Sequence, residues 1–319
     1  MTIGKYVVEA LDPKELGRLS KTAANGCRVI PIDATWYMPN VGLNGKDKYL
    51  NEERIKHSAF FDLDSICLPK SKYPHMLPTY DIFHQAIKEL GIRDSDKLVV
   101  YDKSGIFSSP RVAWTLSLFG TNEVYLLNSY TKYKALGLPV ETGRVETLST
   151  DLPLSSDQEI TTLGGSEVTL RLKNEVIDYE ELLQMVQNGN LADEYILFDA
   201  RSHDRFTGKA PEPRPGLSSG HVPSALSLPF DKLLTGEKTY KSRDEMIDLF
   251  LTEFNIDFNS TDPTKGKKII VMCGTGVTAC IIKLALESII GTKVPVRVYD
   301  GSWTEWGQRA PSEFIVKDV

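Results

Sequence analysis

The feature that most constrains this 319-residue sequence is that it repeats itself. "RVIPIDATWY" (residues 28–37) aligns with "YILFDARSHDRF" (195–206); both are apolar runs that end in Asp-Ala. "RIKHSAFFDLD" (54–64) aligns with "LSSGHVPSALSLPFD" (217–231), each with a His, a small residue and an apolar strand closed by an acid. "KLVVYDKSGIFSSPRVAWTLSLFG" (97–120) aligns with "KIIVMCGTGVTACIIKLALESIIG" (268–291), and "VYLLNSYTKY" (124–133) with "VRVYDGSWTEW" (296–306). A self-similar sequence folds its copies alike, so the question becomes what one copy forms. Each half reads strand, loop, strand, helix, strand, loop, helix, strand, helix. "ILFDA", "KIIVMC" and "VRVYD" are short apolar runs bounded by polar residues or glycine, as strands buried on both faces are. "DYEELLQMVQNG" (178–189) and "DEMIDLFLTEFN" (244–255) have helical spacing with Asp at the cap or in the first turn. Alternation of this kind predicts an α/β domain with a mainly parallel sheet flanked by helices, built twice. The stretch 141–167 is rich in Ser and Thr and lacks periodicity, so it reads as the connection. The expected domains are 1–142, a linker over 143–172, and 173–319.

Composition narrows the function classes. A formal charge of −6 makes non-specific binding to a nucleic-acid backbone an unsuitable main task. No apolar run is long enough to span a bilayer. Four cysteines (Cys27, Cys67, Cys273, Cys280) without a close Cys-x-x-Cys pair do not make a secreted disulfide scaffold, and a reducing compartment fits them better. The opening "MTIGKYVVEALDPKEL" lacks the charged flank and long apolar core of a secretory signal, and its acids suit a mitochondrial presequence poorly. The expectation is a cytoplasmic protein, with a mitochondrial pool left open.

The chemistry concentrates at "CGTGVTA", where a strand ends at Cys273 and a helix starts near Ala279. A phosphate-binding P-loop requires Gly-Lys-Ser/Thr, and Gly276 is followed by Val277. Gly274-Thr275-Gly276-Val277-Thr278-Ala279 does satisfy G-x-G-x-x-A, and Asp300 stands where a ribose-binding acid would. Few residues follow it, however, and the repeat partner "DKSGIFSSP" lacks the fingerprint, so the dinucleotide reading is disfavoured. A cysteine phosphatase places arginine six residues after the nucleophile; here that residue is Ala279. The remaining reading is a reactive cysteine. Amides of a tight loop converge on one atom, the helix N-terminus adds positive potential, and both favour a thiolate nucleophile. Cys280, within the apolar helix face, reads as packing.

Together with "DATWYMP", "FFDLD", "YPHMLP", "SSPRVAW", "FDAR", "RFTGKAPEPR", "SGHVPSA" and "YDGSWTEW", this loop resembles the sulfurtransferases of the rhodanese superfamily, specifically the 3-mercaptopyruvate type. The resemblance covers nearly the whole sequence. Its spelling is nearest the fungal members, including those associated with tRNA wobble-uridine thiolation. It implies tandem rhodanese domains, an inactive first copy and a catalytic second one, in keeping with Asp102 standing at the place of Cys273. The implied reaction carries sulfur from 3-mercaptopyruvate, or less well from thiosulfate, through a Cys273 persulfide to cyanide, a thiol such as thioredoxin, or a protein. No cofactor and no metal are implied. As an alternative, the same persulfide would relay sulfur from a cysteine desulfurase to a rhodanese-type acceptor in tRNA thiolation, with no direct contact with nucleic acid or membrane.

Within the resemblance, Cys273 is the nucleophile and Thr275 supplies a hydroxyl where the family often has Ser. The amides of Gly274, Gly276, Val277 and Thr278 stabilise the sulfur. Arg205 and Arg214 match the substrate-binding arginines, and guanidinium suits a carboxylate donor. Asp64 and His75 match residues implicated in the family's site, and a polar relay of the two with Thr275 is expected to manage the proton as the enolate leaves. Two departures stand out: "YDKSGIFSSPR" is shorter than its counterpart in animal members, and Phe107 replaces a common tyrosine. Arg111 faces the site or pairs locally. His203, His221, Trp303 and Trp306 read as mainly structural, and no cluster has metal-ligand spacing.

Overall fold

A computed structural model describes residues 9–14, 28–120, 123–152 and 165–318, and in it the sequence repeat becomes two sheets with the same strand order. In the first half the strands are β1 (Glu9–Leu11), β2 (Val29–Asp33), β3 (Glu53–Ile55), β4 (Ala59–Phe60), β5 (Lys97–Tyr101), β6 (Glu123–Leu127) and β7 (Val140–Thr142). Five form a sheet in the order β1-β6-β5-β2-β4, while β3 and β7 make a separate antiparallel pair. The second half contributes β8 (Val176–Ile177), β9 (Tyr195–Asp199), β10 (Leu226–Ser227), β11 (Lys268–Met272) and β12 (Val296–Tyr299), in the order β10-β9-β11-β12-β8. Every neighbour pair within the two larger sheets is parallel. In this order β5 and β11 both occupy the central place, so Asp102 and Cys273, each the residue after its strand, are topological equivalents.

The chain divides into two compact units. The first holds Met1–Lys70, Leu77–Leu170 and Glu237–Thr239; the second holds Ser71–Met76, Arg171–Gly236 and Tyr240–Val319. Residues 71–76 of the first sequence repeat therefore belong to the second unit, which matters for His75.

Local chemistry explains the elements that frame the second unit. The central strand β11 has Ile269, Ile270, Val271 and Met272 fully buried, as a parallel strand covered on both faces must. Helices α1 (Tyr80–Glu89), α2 (Ser109–Phe119) and α3 (Gly165–Glu175) precede it in the chain; α3 begins inside the aperiodic stretch that the sequence suggested was connection. Residues 153–164 of the expected linker, and Cys27, lie outside the described residues. Helix α4 (Tyr179–Gln187) starts where the Asp178 carboxylate accepts the Glu181 amide at 2.8 Å. Two further helices follow, α5 (His203–Thr207) and α6 (Arg243–Phe254), the latter opened by a capping box between Ser242 and Glu245. Helix α7 (Ala279–Leu284) continues as wider π-type turns over Ala285–Ile290, with every residue of its α segment buried. That burial includes Lys283, held by Glu175 at 3.1 Å and Glu287 at 3.0 Å. Cys280 is fully buried too, its thiol on the Gly276 carbonyl at 3.4 Å, in accord with packing. Helix α8 (Ser302–Arg309) buries Trp303 and Trp306 against Tyr179, Leu182 and Tyr299. Burial of each indole contributes about 3 kcal/mol or more to this core. Among the described residues, no helix is long and apolar enough to cross a membrane.

Candidate active site

The loop after β11 is shaped by what holds its carbonyl groups. The Trp303 amide donates to the Cys273 carbonyl at 2.9 Å, and the Thr304 amide and hydroxyl both donate to the Gly274 carbonyl, at 2.9 and 2.7 Å. The first turn of α8 thus uses its spare donors to fix the loop. The Cys273 amide is taken by Ser302 Oγ at 3.1 Å, and that hydroxyl donates to the Tyr299 carbonyl at 2.8 Å. Among the described residues none accepts from the amides of Gly274, Thr275, Val277 or Thr278. Amides of a tight loop that no protein group takes can serve an anion, and Cys273, at the start of this loop, is only 2% exposed.

Two glycines are needed for different reasons. Gly276 has φ +76°, in the left-handed region. A Cβ at Gly274 would stand 3.3 Å from Arg205 Nη2, so the glycine admits a guanidinium against the loop. Gly276→Ala is expected to cost about 1–2 kcal/mol of stability from the left-handed backbone alone. It should also lower turnover, because the amides on either side of it are re-aimed. Thermal melts together with donor kinetics check this, and an unchanged turnover would show that the loop geometry tolerates a Cβ there.

Thr275 and His75 meet. Thr275 Oγ1 lies 3.1 Å from His75 Nδ1, both residues are buried, and both belong to the second unit. His75 holds φ +63°, a conformation uncommon outside glycine. Asp64 lies in the first unit, exposed, with its carboxylate accepting Trp36 Nε1 at 3.0 Å and its carbonyl accepting the Cys67 thiol at 3.2 Å. Phe107, in the same unit, stacks on Trp36 with centroids 6.1 Å apart. Arg111 is buried in α2 with its guanidinium 5.1 Å from the Trp114 ring centroid, so it packs within its own unit.

The two expected donor-binding arginines differ in their bonds. Arg205, on α5, gives Nε and Nη2 to the Glu212 carboxylate at 3.1 and 2.5 Å. Among the described residues Arg214 has no side-chain hydrogen bond or ion pair. Burial pulls the Arg214 guanidinium below its ordinary range and repulsion by Arg205 adds to this, while the Cys273 sulfur and Glu212 pull it back up. Those four groups therefore share one electrostatic site. Behind it, Arg201 is buried in a fork on Asp199, with Nη1 on Glu212 at 2.7 Å and its guanidinium 4.1 Å from the Trp303 ring centroid. Burial opposes the Arg201 charge, yet Asp199 and Glu212 hold it above the usual guanidinium value.

Sequence reasoning missed Ser302, Glu212 and Arg201. Ser302 follows β12 at φ +51°, and only the fold brings its hydroxyl to Cys273. The charged run "FDAR…APEPR" was the available signal for the other two. His221 stacks on Phe206 at 4.0 Å and Trp303 Nε1 donates to the Ser218 carbonyl at 2.8 Å, both structural uses. His203 is exposed beside Ser227 Oγ at 3.1 Å. In the first unit the fold gathers His57, Glu141 and Asp151, with one ligand-type atom each within 4.8 Å, a grouping that sequence spacing did not reveal. Arg54, 3.8 Å from Glu141, supplies a counter-charge.

The equivalent loop of the first unit contains its own anion. Asp102 accepts the amides of Ser104, Phe107, Ser108 and Ser109 and the Ser109 hydroxyl, at 2.6–3.1 Å. In the first unit a carboxylate thus fills the cradle of its own loop.

Comparison with known proteins decides the family. A rhodanese-like domain model matches residues 178–309, the second repeat. The chain is 44% identical over 294 residues to the thiosulfate sulfurtransferase TUM1 of Saccharomyces cerevisiae, covering 91% of this chain and 92% of that one. The chain belongs to the rhodanese-type sulfurtransferases. Its likeness extends to a probable 3-mercaptopyruvate sulfurtransferase of Schizosaccharomyces pombe, 35% identical over 97% of this chain and 96% of the other. The crystal structure of yeast Tum1 superposes with a TM-score of 0.85 at 39% identity, covering 98% of both chains. A sub-stoichiometric sulfur transferase subunit of yeast mitochondrial complex I matches at 0.79 and 36% identity, over 98% of this chain and all of that one. This sulfurtransferase is therefore an enzyme of the thiosulfate and 3-mercaptopyruvate transferase group, with the α/β architecture of tandem rhodanese folds.

Proposed function

We propose that this sulfurtransferase takes sulfur from 3-mercaptopyruvate, with thiosulfate the poorer donor, and carries it as a persulfide on Cys273. The observation that carries the donor assignment is the charge pattern around the sulfur: two arginines approach from α5 and the segment after it, while the loop side chains from Gly274 to Thr278 are uncharged. A single carboxylate suits that arrangement, since guanidinium holds carboxylate through two N–H bonds.

The Cys273 thiolate attacks the donor sulfur, forming an S–S bond and breaking the C–S bond. The electron pair leaves on carbon as pyruvate enolate, which takes a proton to become pyruvate. Thr275 and His75 lie in hydrogen-bond reach of one another and serve as the proton path. An acceptor thiolate, cyanide or protein cysteine then attacks the outer sulfur and returns Cys273 as thiolate. The loop amides of Gly274, Gly276, Val277 and Thr278 stabilise the sulfur charge at both ends of the cycle. The chemistry uses no cofactor, the sulfur being held covalently. The catalytic copy is assigned to 173–319, the non-catalytic copy to 1–142 and the link to 143–172.

Incubation with 3-mercaptopyruvate should release pyruvate and leave one added sulfur atom on Cys273 by mass spectrometry; pyruvate without the adduct would overturn the persulfide route. Arg205→Gln and Arg214→Gln should each raise the apparent KM for 3-mercaptopyruvate by about tenfold or more, the loss of a charge-assisted hydrogen bond. Unchanged KM in both would remove the arginines from donor binding. Delivery of the same persulfide to a rhodanese-type acceptor in tRNA thiolation, loaded by a cysteine desulfurase, is supported by the resemblance to fungal members. Persulfide on Cys273 after desulfurase and cysteine alone would establish it. A mitochondrial location is supported by the likeness to the yeast mitochondrial complex I subunit, the cytoplasmic expectation rests on the sequence, and cell fractionation decides between them.

A further inference from the structure

Glu212 stands between two arginines, and its position bears on which donor the site prefers. Its side chain is 2% exposed, and its carboxylate accepts from Arg201 Nη1 and from Arg205 Nε and Nη2. Arg201 is separately matched by Asp199. Three guanidinium groups, on Arg201, Arg205 and Arg214, are thus answered by two carboxylates, on Asp199 and Glu212. One net positive charge remains beside Cys273, because the loop side chains add none. Glu212 also occupies the Nε/Nη2 edge of Arg205. What Arg205 can offer a donor is its end-on edge, Nη1 and the outer hydrogen of Nη2, on the side that faces Gly274.

We infer that Glu212 is a specificity-determining and positioning residue: it sets the donor site to one positive charge and so selects a monoanionic mercapto acid over dianionic thiosulfate. The inference rests on the assignment of Arg205 and Arg214 to donor binding. With a second net charge the site would accept the dianion, since an unanswered guanidinium in a partly buried site attracts a second negative charge strongly. Glu212 therefore acts through Arg205 and touches no reacting atom.

The test is kcat/KM for both donors in Glu212→Gln, with folding verified by thermal melt. The thiosulfate to 3-mercaptopyruvate ratio should rise at least about tenfold, the effect of one added charge roughly 12 Å from the donor at an effective dielectric near 20. The gain should lie in the KM for thiosulfate and fade as salt is added. Glu212→Asp, which keeps the charge, should leave the ratio near wild type even where both rates fall. A parallel fall for both donors in Glu212→Gln, with the ratio unmoved, would overturn the inference and leave Glu212 a structural residue. If Glu212→Gln does not fold, Arg205→Gln must move the ratio the opposite way, and an unmoved ratio there overturns it equally. Should the wild-type protein release no pyruvate, the mercaptopyruvate assignment falls by itself. The Glu212 claim is then decided by whether Glu212→Gln lowers the thiosulfate KM in a salt-dependent manner.

Discussion

Cys273→Ser is expected to abolish sulfur transfer from either donor, by a factor on the order of 10⁴ or more, as removal of a nucleophile does where no other group can form the covalent intermediate. Serine fits the space, and the loop should keep its shape, because that shape is set elsewhere. The Cys273 and Gly274 carbonyls are held by the first turn of α8, and the Cys273 amide by Ser302. The hydroxyl will not ionise at neutral pH and forms no persulfide, so binding survives while chemistry stops. Pyruvate release from 3-mercaptopyruvate and thiocyanate formation from thiosulfate and cyanide are the measurements. Cys280→Ser is the control: its sulfur is buried against the Gly276 carbonyl on the helix side, so transfer should persist. Undiminished transfer by Cys273→Ser would remove the cysteine from the mechanism.

Asp102→Ala is expected to destabilise the first unit by about 3 kcal/mol near pH 4, because four amides and one hydroxyl lose a buried acceptor. Sulfate or thiosulfate should restore part of the melting temperature, since the emptied cradle presents converging donors to a small anion. A loss below about 1 kcal/mol, the ordinary value for one hydrogen bond, would show that the cradle relaxes. Burial pushes the Asp102 carboxyl up from 3.8 to about 6, the five donors pulling the other way without prevailing. A raised carboxyl favours the protonated form in the folded state. Its contribution to stability is complete below pH 3.8 and is lost as pH rises through about 6. Over that window the wild type should lose on the order of 3 kcal/mol relative to Asp102→Asn. Parallel stability curves would overturn this.

The two cradles also explain why the sequence was legible in some places and not in others. Asp102 and Cys273 are aligned by the repeat alone, and the shared strand order places both after a central strand. The sequence showed "DKSGIFSSP" to lack the fingerprint, but not that Asp102 accepts four amides and a hydroxyl of its own loop. Helices α4 and α6 were readable because their caps are local, Asp178 on Glu181 and Ser242 on Glu245. Helix α3 was not, since few of its positions are apolar.

The sequence by itself determined the repeat and the parallel α/β plan, and it singled out the loop at Cys273 and the pair Arg205 and Arg214 as candidates. These depend on periodicity, on glycine at fixed places and on residue types close together in the chain. Tertiary structure decided the rest: Ser302 on the Cys273 amide, His75 on Thr275 across 200 positions, and Glu212 shared by Arg201 and Arg205. A hydroxyl, an imidazole or a carboxylate carries no mark of its partner in the sequence. The partner is fixed only when burial forces each polar atom to find one, and that choice is made by the packed fold.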